Sequence, residues 1–142
     1  MENFTVKDIV KITNGNLANE SENIEIKCFS KDTRTLKKGD LYVGIKGDNF
    51  DGNLLYNEAY EKGAIAVLLN SYMKSDKDLE KYSNIIFVDD TVKALQDLAS
   101  YRRKMYDIPV VAVTGSVGKT STKDMIASVV STKYKVLKTR RK

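Results

Sequence analysis

Apolar residues occur along this chain either in short unbroken runs or at helical spacing, and the two patterns follow one another. Unbroken runs are typical of strands buried on both faces of a parallel sheet, and they lie at Ala64–Leu69, Ile85–Val88 and Val110–Thr114. Alternating apolar and polar residues predict a half-buried strand over Ile24–Cys28, and a further strand is predicted over Leu41–Ile45.

Amphipathic stretches predict helices between these strands. Thr5 followed by Asp8 is a capping box that begins a short helix, which Asn14-Gly15 would end. The further predicted helices are Leu54–Lys62 capped by Asn53, Val92–Tyr106 capped by Thr91, and Lys119–Ser131 after a glycine-rich turn. Strands that alternate with helices indicate α/β architecture, with the start of one more strand over Tyr134–Leu137.

Composition narrows the class of protein. The 142 residues are 42% apolar, enough for a folded core. No apolar stretch approaches the roughly 20 residues that span a bilayer, and Met1 is followed by Glu2-Asn3 rather than by a signal-like segment. We therefore expect a cytoplasmic protein with no membrane partner. The lack of histidine and the single cysteine, Cys28, exclude a Ser-His-Asp triad, a histidine metal site and an internal disulfide within these residues.

The net positive charge of the chain comes from its last ten residues. The formal net charge is +5, but six of the last ten residues, Lys133–Lys142, are basic and none is acidic, so the preceding part is close to neutral. A basic domain would favour nucleic-acid binding. Because the charge lies in a tail, we expect no nucleic-acid partner. The competing hypothesis, a tail that contacts RNA or an anionic surface, predicts binding that falls steeply with salt.

A glycine-rich loop between a predicted strand and a predicted helix carries the clearest chemistry. Its candidate ATP-binding residues are Gly115, Ser116, Val117, Gly118, Lys119, Thr120 and Ser121. Glycines let backbone N–H groups approach phosphate oxygens, and the helix N-terminus favours negative charge. Lys119 is placed to reach the β- and γ-phosphates, and the Thr120 hydroxyl to bind Mg²⁺. The loop is a variant, because Val113 stands where the general pattern has its first glycine.

This loop resembles that of a known family. Val111–Ile126 (VAVTGSVGKTSTKDMI) is similar to the ATP-binding segment of the Mur ligases, the ATP-dependent peptide synthetases of peptidoglycan assembly. Within the family, Lys119–Met125 (KTSTKDM) is similar to the branch that adds D-alanyl-D-alanine.

The first hundred residues resemble the same family independently. Asp32-Thr33-Arg34 followed by Lys38–Val43 (KGDLYV) is similar to its D-[ST]-R…G-D-L-[FY]-V signature. Lys46–Gly52 and Glu58–Ala64 are similar to its K-G…F-D-G and E-A…G-A patterns. Asn53 departs from the histidine that the family usually has after Asp-Gly.

The resemblance implies two domains and a set of site residues. Residues 1–107 would be the N-terminal domain that binds a UDP-sugar peptide, and residues 108–142 the truncated start of the central ATP-binding domain. Lys119 would be the catalytic contact to the phosphates, and Thr120 the Mg²⁺ ligand. Contacts to the uridine diphosphate would come from Thr33, Arg34, Lys46, Gly47 and Asn49. From residue type alone, an ion pair with Asp32 also suits Arg34, and a solvated side chain also suits Lys46.

The resemblance also implies the reaction. The ligase would use ATP and Mg²⁺ to convert the carboxylate of UDP-N-acetylmuramoyl-tripeptide to an acyl phosphate, which the amine of D-alanyl-D-alanine attacks. We expect a monomer. Because the family's remaining ATP-binding and C-terminal regions are missing from these 142 residues, we expect this chain alone to be inactive. Two alternatives stay open: a fragment of the ligase that adds the third amino acid of the peptide, and a stand-alone UDP-sugar-binding module.

Overall fold

The computed structural model describes residues 3–19 and 23–139. The chain divides into two compact units, with the boundary between Tyr106 and Asp107. The sequence interpretation has its boundary one residue later, between residues 107 and 108. Residues 140–142, the end of the basic tail, lie outside the described residues.

A five-stranded sheet forms the centre of the first unit. Its strands are Asn16–Ala18 (β2), Phe29–Ser30 (β4), Leu41–Val43 (β5), Ala66–Asn70 (β6) and Ile85–Val88 (β7). They are arranged in the order β2–β7–β6–β5–β4; β4 to β7 run parallel, and β2 pairs antiparallel with β7. A separate antiparallel pair joins Phe4–Thr5 (β1) to Glu25–Ile26 (β3). The α/β prediction is confirmed.

Helical segments cover both faces of this sheet. The α-helices of the first unit are Val6–Thr13 (α1), Tyr56–Glu61 (α2) and Thr91–Lys104 (α3). Single 3-10 turns lie at Gly52–Leu55, Ser71–Ser75 and Lys77–Lys81. Successive side chains of a strand point to opposite faces. Leu68 and Ile86 therefore pack in a cluster with residues of α1 and α3, while Val67 and Ile85 pack in a second cluster with residues of α2.

Helix starts show where the sequence interpretation holds and where it is wrong. The capping box at Thr5 and Asp8 is present, and Asn14 ends α1 in the left-handed conformation. The cap of α3 is Asp90 rather than Thr91. The Asp90 carboxylate accepts hydrogen bonds from the N–H groups of Val92 and Lys93, and it can do so because Asp90 is still extended. Thr91 is already helical and buried.

Asn53 is also not a helix cap. Asp51 caps the 3-10 turn that leads into α2, and its side chain accepts from the Asn53 N–H. Asn53 itself is completely buried. The single helix predicted over residues 54–62 is thus a 3-10 turn followed by the shorter α2.

The second unit has one regular element among its described residues, the α-helix Lys119–Val130 (α4). The strands predicted over Val110–Thr114 and Tyr134–Leu137 are wrong, because neither segment is assigned to a strand. A strand exists only when a neighbour completes its hydrogen-bond ladder, and residues 107–139 supply no such neighbour. Among the described residues, no helix combines the length and apolarity needed to cross a membrane.

Candidate functional site

A pocket of about 470 Å³ opens beside the carboxyl ends of β4 and β5. Its lining residues are Lys31, Asp32, Thr33, Arg34, Tyr42, Ile45, Phe50, Gly52, Leu55 and Glu58. Open α/β sheets bind their ligands at this edge because the loops after parallel strands meet there. The pocket contains Thr33 and Arg34, two of the residues predicted to contact a uridine diphosphate.

Arg34 lies at the rim of this pocket in a two-point ion pair with Asp32. Its Nη2 is 2.6 Å from Asp32 Oδ2, and its Nε donates to Asp32 Oδ1 at 2.9 Å. The side-chain hydrogen bond from Arg34 lowers the pKa of Asp32 to about 2. The Arg34 side chain is 84% exposed, so the ion-pair alternative is the arrangement present. A diphosphate would have to compete with this carboxylate for the guanidinium.

Thr33 lies deeper in the pocket and is held by Glu58. Its hydroxyl donates to Glu58 Oε1 at 2.9 Å, and Lys62 Nζ donates to the same oxygen at 2.5 Å. These bonds, first the one from Lys62 and then the one from Thr33, lower the pKa of Glu58. The Thr33 oxygen keeps lone pairs with which it can accept a hydrogen bond from a ligand.

The other three predicted uridine contacts lie beside the pocket rather than in it. Lys46, Gly47 and Asn49 are exposed on the loop after β5, and the residues of this loop that line the pocket are Ile45, Phe50 and Gly52. The Lys46 ammonium lies 5.5 Å from the centre of the Tyr72 ring. The roles of Lys46, Gly47 and Asn49 therefore stay predictions.

Tyr42, Phe50 and Glu58 line the pocket and were not among the predicted site residues. The buried Tyr42 hydroxyl donates to the Gly52 carbonyl at 2.8 Å, and burial raises the pKa of Tyr42 to about 12. Phe50 presents a ring that is 58% exposed. Phe50 and Glu58 lie within the F-D-G and E-A segments of the family pattern, which is a usable signal. Tyr42 lies at the [FY] position of the G-D-L-[FY]-V signature, so it carried a motif signal as well, although the pattern of a buried strand does not show that its side chain lines a pocket.

The glycine-rich loop of the second unit, residues 115–121, is called the phosphate loop below, and it has the expected geometry around its two glycines. Gly115 and Gly118 have φ angles of 146° and 80°, a region that favours glycine. α4 begins directly after Gly118, without a side-chain cap and without an acidic residue in its first turn. Ser116, Lys119, Thr120 and Ser121 are exposed, and Lys119 Nζ donates to the Gly115 carbonyl.

This donor set fits a phosphate group. An uncapped helix N-terminus offers free N–H groups and partial positive charge, and Lys119 adds a full charge beside them. Thr120 offers one hydroxyl oxygen to a metal ion. Among the described residues, no group of three or more Asp, Glu, Cys or His side chains is arranged to hold a metal.

Comparison with known proteins identifies the family. Residues 113–142 match the model of the Mur ligase middle domain. The UDP-N-acetylmuramoyl-tripeptide–D-alanyl-D-alanine ligase of Bacillus subtilis (strain 168) is 41% identical over 136 residues, which is 95% of this chain and 29% of that relative. The chain belongs to the Mur ligase family. The resemblance drawn from its motifs is thereby confirmed.

Solved structures agree with this assignment to the Mur ligases. A structure of MurF from Acinetobacter baumannii matches with a TM-score of 0.78 at 28% identity, covering 94% of this chain and 28% of that one. MurF ligase from Thermotoga maritima, solved in complex with ADP, matches with a TM-score of 0.62 at 30% identity, covering 74% of this chain and 23% of that one. This Mur ligase chain thus spans less than a third of the length of these relatives.

Proposed function

We propose that the complete protein is an ATP-dependent ligase that adds D-alanyl-D-alanine to UDP-N-acetylmuramoyl-tripeptide during peptidoglycan synthesis. The observation that carries the proposal is the 41% identity, over 95% of this chain, to a relative of that name. The pocket beside β4 and β5 and the phosphate loop support the proposal, because the reaction needs one site for a UDP-linked substrate and another for ATP.

The first unit would bind the uridine nucleotide. Arg34 would exchange its bond to Asp32 for the diphosphate, since a guanidinium pairs with phosphate oxygens in the same two-point geometry as with a carboxylate. Thr33 would accept a hydrogen bond, and the exposed ring of Phe50 would offer an apolar surface to the base. Lys46, Gly47 and Asn49 would contribute from the adjacent loop.

The second unit would bind ATP through residues 115–121. Lys119 would leave the Gly115 carbonyl for the β- and γ-phosphates and stabilise the charge that develops during phosphoryl transfer. Thr120 would hold Mg²⁺ together with phosphate oxygens, and the ion supplies charge neutralisation when bound. The cytoplasmic location and the monomeric state expected from the sequence stay predictions.

Phosphate release by the complete protein tests this function. We expect release from ATP to require both UDP-N-acetylmuramoyl-tripeptide and D-alanyl-D-alanine, and to be lost in Lys119→Ala, whereas Lys133→Ala outside the loop keeps the rate. Release that instead requires UDP-N-acetylmuramoyl-dipeptide and a single amino acid would show the ligase for the third residue. Binding of the UDP-linked substrate without any ATP-dependent ligation would show a binding module, and either result would contradict the proposal.

A further inference from the structure

A buried amide connects the loops that leave the carboxyl ends of three neighbouring strands. Asn53 is 0% exposed, and it directly follows residues 44–52, which comprise the loop after β5 and the first residue of the 3-10 turn and are called the 44–52 loop below. Buried polar side chains are stable only when their hydrogen bonds are made. Within the described residues, no buried side-chain nitrogen or oxygen lacks a partner.

The Asn53 side chain uses both its donor and its acceptor atoms. Nδ2 lies 2.7 Å from Asp51 Oδ1, 3.1 Å from Asn70 Oδ1 and 2.9 Å from the Tyr72 hydroxyl. Oδ1 accepts the backbone N–H of Asn70 at 2.9 Å. Asn53 thus joins the loop after β5 to the last residue of β6 and to the turn that follows.

The hydrogen bonds continue across the sheet edge to the end of β7. Asn70 Nδ2 donates to the Asp89 carbonyl at 3.1 Å, and the buried Thr91 hydroxyl donates to Asn70 Oδ1 at 3.0 Å. The Tyr72 hydroxyl donates to Asp51 Oδ2 at 2.5 Å. The base of the 44–52 loop is therefore tied to the framework of the sheet from two sides.

The loop that this network holds is a small hairpin at the pocket. Lys46 and Asp51 form an antiparallel bridge, and the Gly47 N–H donates to the Phe50 carbonyl at 2.9 Å. Gly44 lies so close to Asn53 that a Cβ at residue 44 would come within 2.8 Å of the Asn53 Cα. Phe50 and Gly52 line the pocket from this hairpin, so a shift at Asn53 would move them.

We propose that Asn53 is a positioning residue that holds the 44–52 loop against the pocket and so sets the affinity for the UDP-linked substrate. The inference rests on the proposed function. Asn53 does not line the pocket, and it acts through Phe50 and Gly52 rather than through contact with the ligand. The affinities for ATP and for D-alanyl-D-alanine do not depend on it.

The test is steady-state kinetics of the complete protein carrying Asn53→Asp. Aspartate keeps the volume and the acceptor for the Asn70 N–H, but it loses the donors and places a charge beside Asp51. We expect KM for UDP-N-acetylmuramoyl-tripeptide to rise by about tenfold or more, as for loss of a buried hydrogen bond, with kcat and KM for ATP within about twofold of wild type. Asn57→Asp, the same change at an exposed residue of α2, is the matched control and keeps all three constants.

A second variant decides the matter if Asn53→Asp fails to fold. Tyr72→Phe removes one partner of Asn53 from a side chain that is half exposed, and Tyr101→Phe is its control on α3. We expect Tyr72→Phe to raise the same KM by about threefold. Folded variants that keep KM for the UDP-linked substrate, or that raise KM for ATP by the same factor, overturn the role of Asn53. A wild-type protein that shows no dependence on the UDP-linked substrate overturns the proposed function itself, and the inference with it.

Discussion

Removing the Tyr42 hydroxyl tests whether its hydrogen bond to Gly52 stabilises the part of the pocket that these two residues line. Tyr42 is 0% exposed, and its hydroxyl donates to the carbonyl of Gly52, which is also buried. Tyr42→Phe keeps the ring and its packing between the sheet and α2, so no cavity the size of a side chain is created. The change leaves the Gly52 carbonyl without its side-chain donor.

The expected loss follows from this single hydrogen bond. A buried group left without its partner costs about 1–3 kcal/mol, and relief from burying the hydroxyl offsets part of that cost, so we expect the free energy of unfolding to fall by about 1.5 kcal/mol. For a domain of roughly 100 residues, this corresponds to a fall in Tm of about 6–12 °C.

Urea unfolding followed by circular dichroism measures the loss. Tyr101→Phe is the matched control, because the Tyr101 side chain is 48% exposed and lies on α3, and we expect it to change the free energy of unfolding by less than about 0.5 kcal/mol. If Tyr42→Phe is as stable as this control, the hydrogen bond to Gly52 does not stabilise this part of the first unit and the reasoning is refuted.

Three further predictions concern the core, the pocket rim and the phosphate loop. Leu68 is completely buried, so Leu68→Ala should lower the free energy of unfolding by about 2–5 kcal/mol. The control is Val92→Ala at a half-exposed residue of α3, which should change the free energy of unfolding by less than about 0.5 kcal/mol. Similar losses for both variants would contradict the core described. The Asp32 pKa of about 2 is below its unfolded value, so the stabilisation from the ion pair is present above pH ~4 and is lost as the pH falls towards ~2. In Arg34→Ala, NMR titration of the Asp32 carboxyl should show a pKa that rises from about 2 towards ~4. The rise stays incomplete because the N–H of residue 34 still donates to Asp32. A pKa that stays near 2 would show that the Arg34 side chain is not the cause. Lys119→Ala should weaken ATP binding, measured by calorimetry, by about tenfold or more, as for a lost hydrogen bond to a charged group. Binding of the UDP-linked substrate should stay unchanged. If Lys119→Ala binds ATP as tightly as wild type, the loop is excluded as the ATP site.

The central strands and the first helix were predictable because each has a strong local pattern. Ile85–Val88 is an unbroken apolar run, and it forms β7 between two neighbouring strands. Thr5 and Asp8 form a capping box within four residues, which needs no information from the rest of the chain. The phosphate loop carries its own signal as well, since glycines, a lysine and a hydroxyl residue occur at fixed spacing.

The elements that depend on distant partners were not predictable. Asn16–Ala18 and Phe29–Ser30 are too short to show any period, and they are strands only because β7 and β5 bind them. Val110–Thr114 has the pattern of a strand, but among the described residues it has no neighbour and remains irregular. An apolar run therefore predicts a strand only where the fold brings a partner to its edge.

The candidate site shows the same limit. Motif resemblance indicated Thr33 and Arg34, and both line the pocket. The sequence predicts a helix cap at Asn53 because asparagine is a common cap residue. Its burial depends on two partners, Asn70 at the end of β6 and Tyr72 in the turn that follows, which are 17 and 19 residues further along the chain. Sequence spacing alone does not show that the ends of neighbouring strands meet.

An amide chemical-shift map of the 142-residue chain, titrated with UDP-N-acetylmuramoyl-tripeptide, tests most directly whether the pocket beside β4 and β5 is the site for the UDP-linked substrate. We predict a saturable response whose largest shifts lie at residues 31–34, Phe50 and Glu58, with residues 115–121 unaffected. A saturable response confined to other parts of the first unit, or shifts only in the phosphate loop, would contradict the assignment of this pocket.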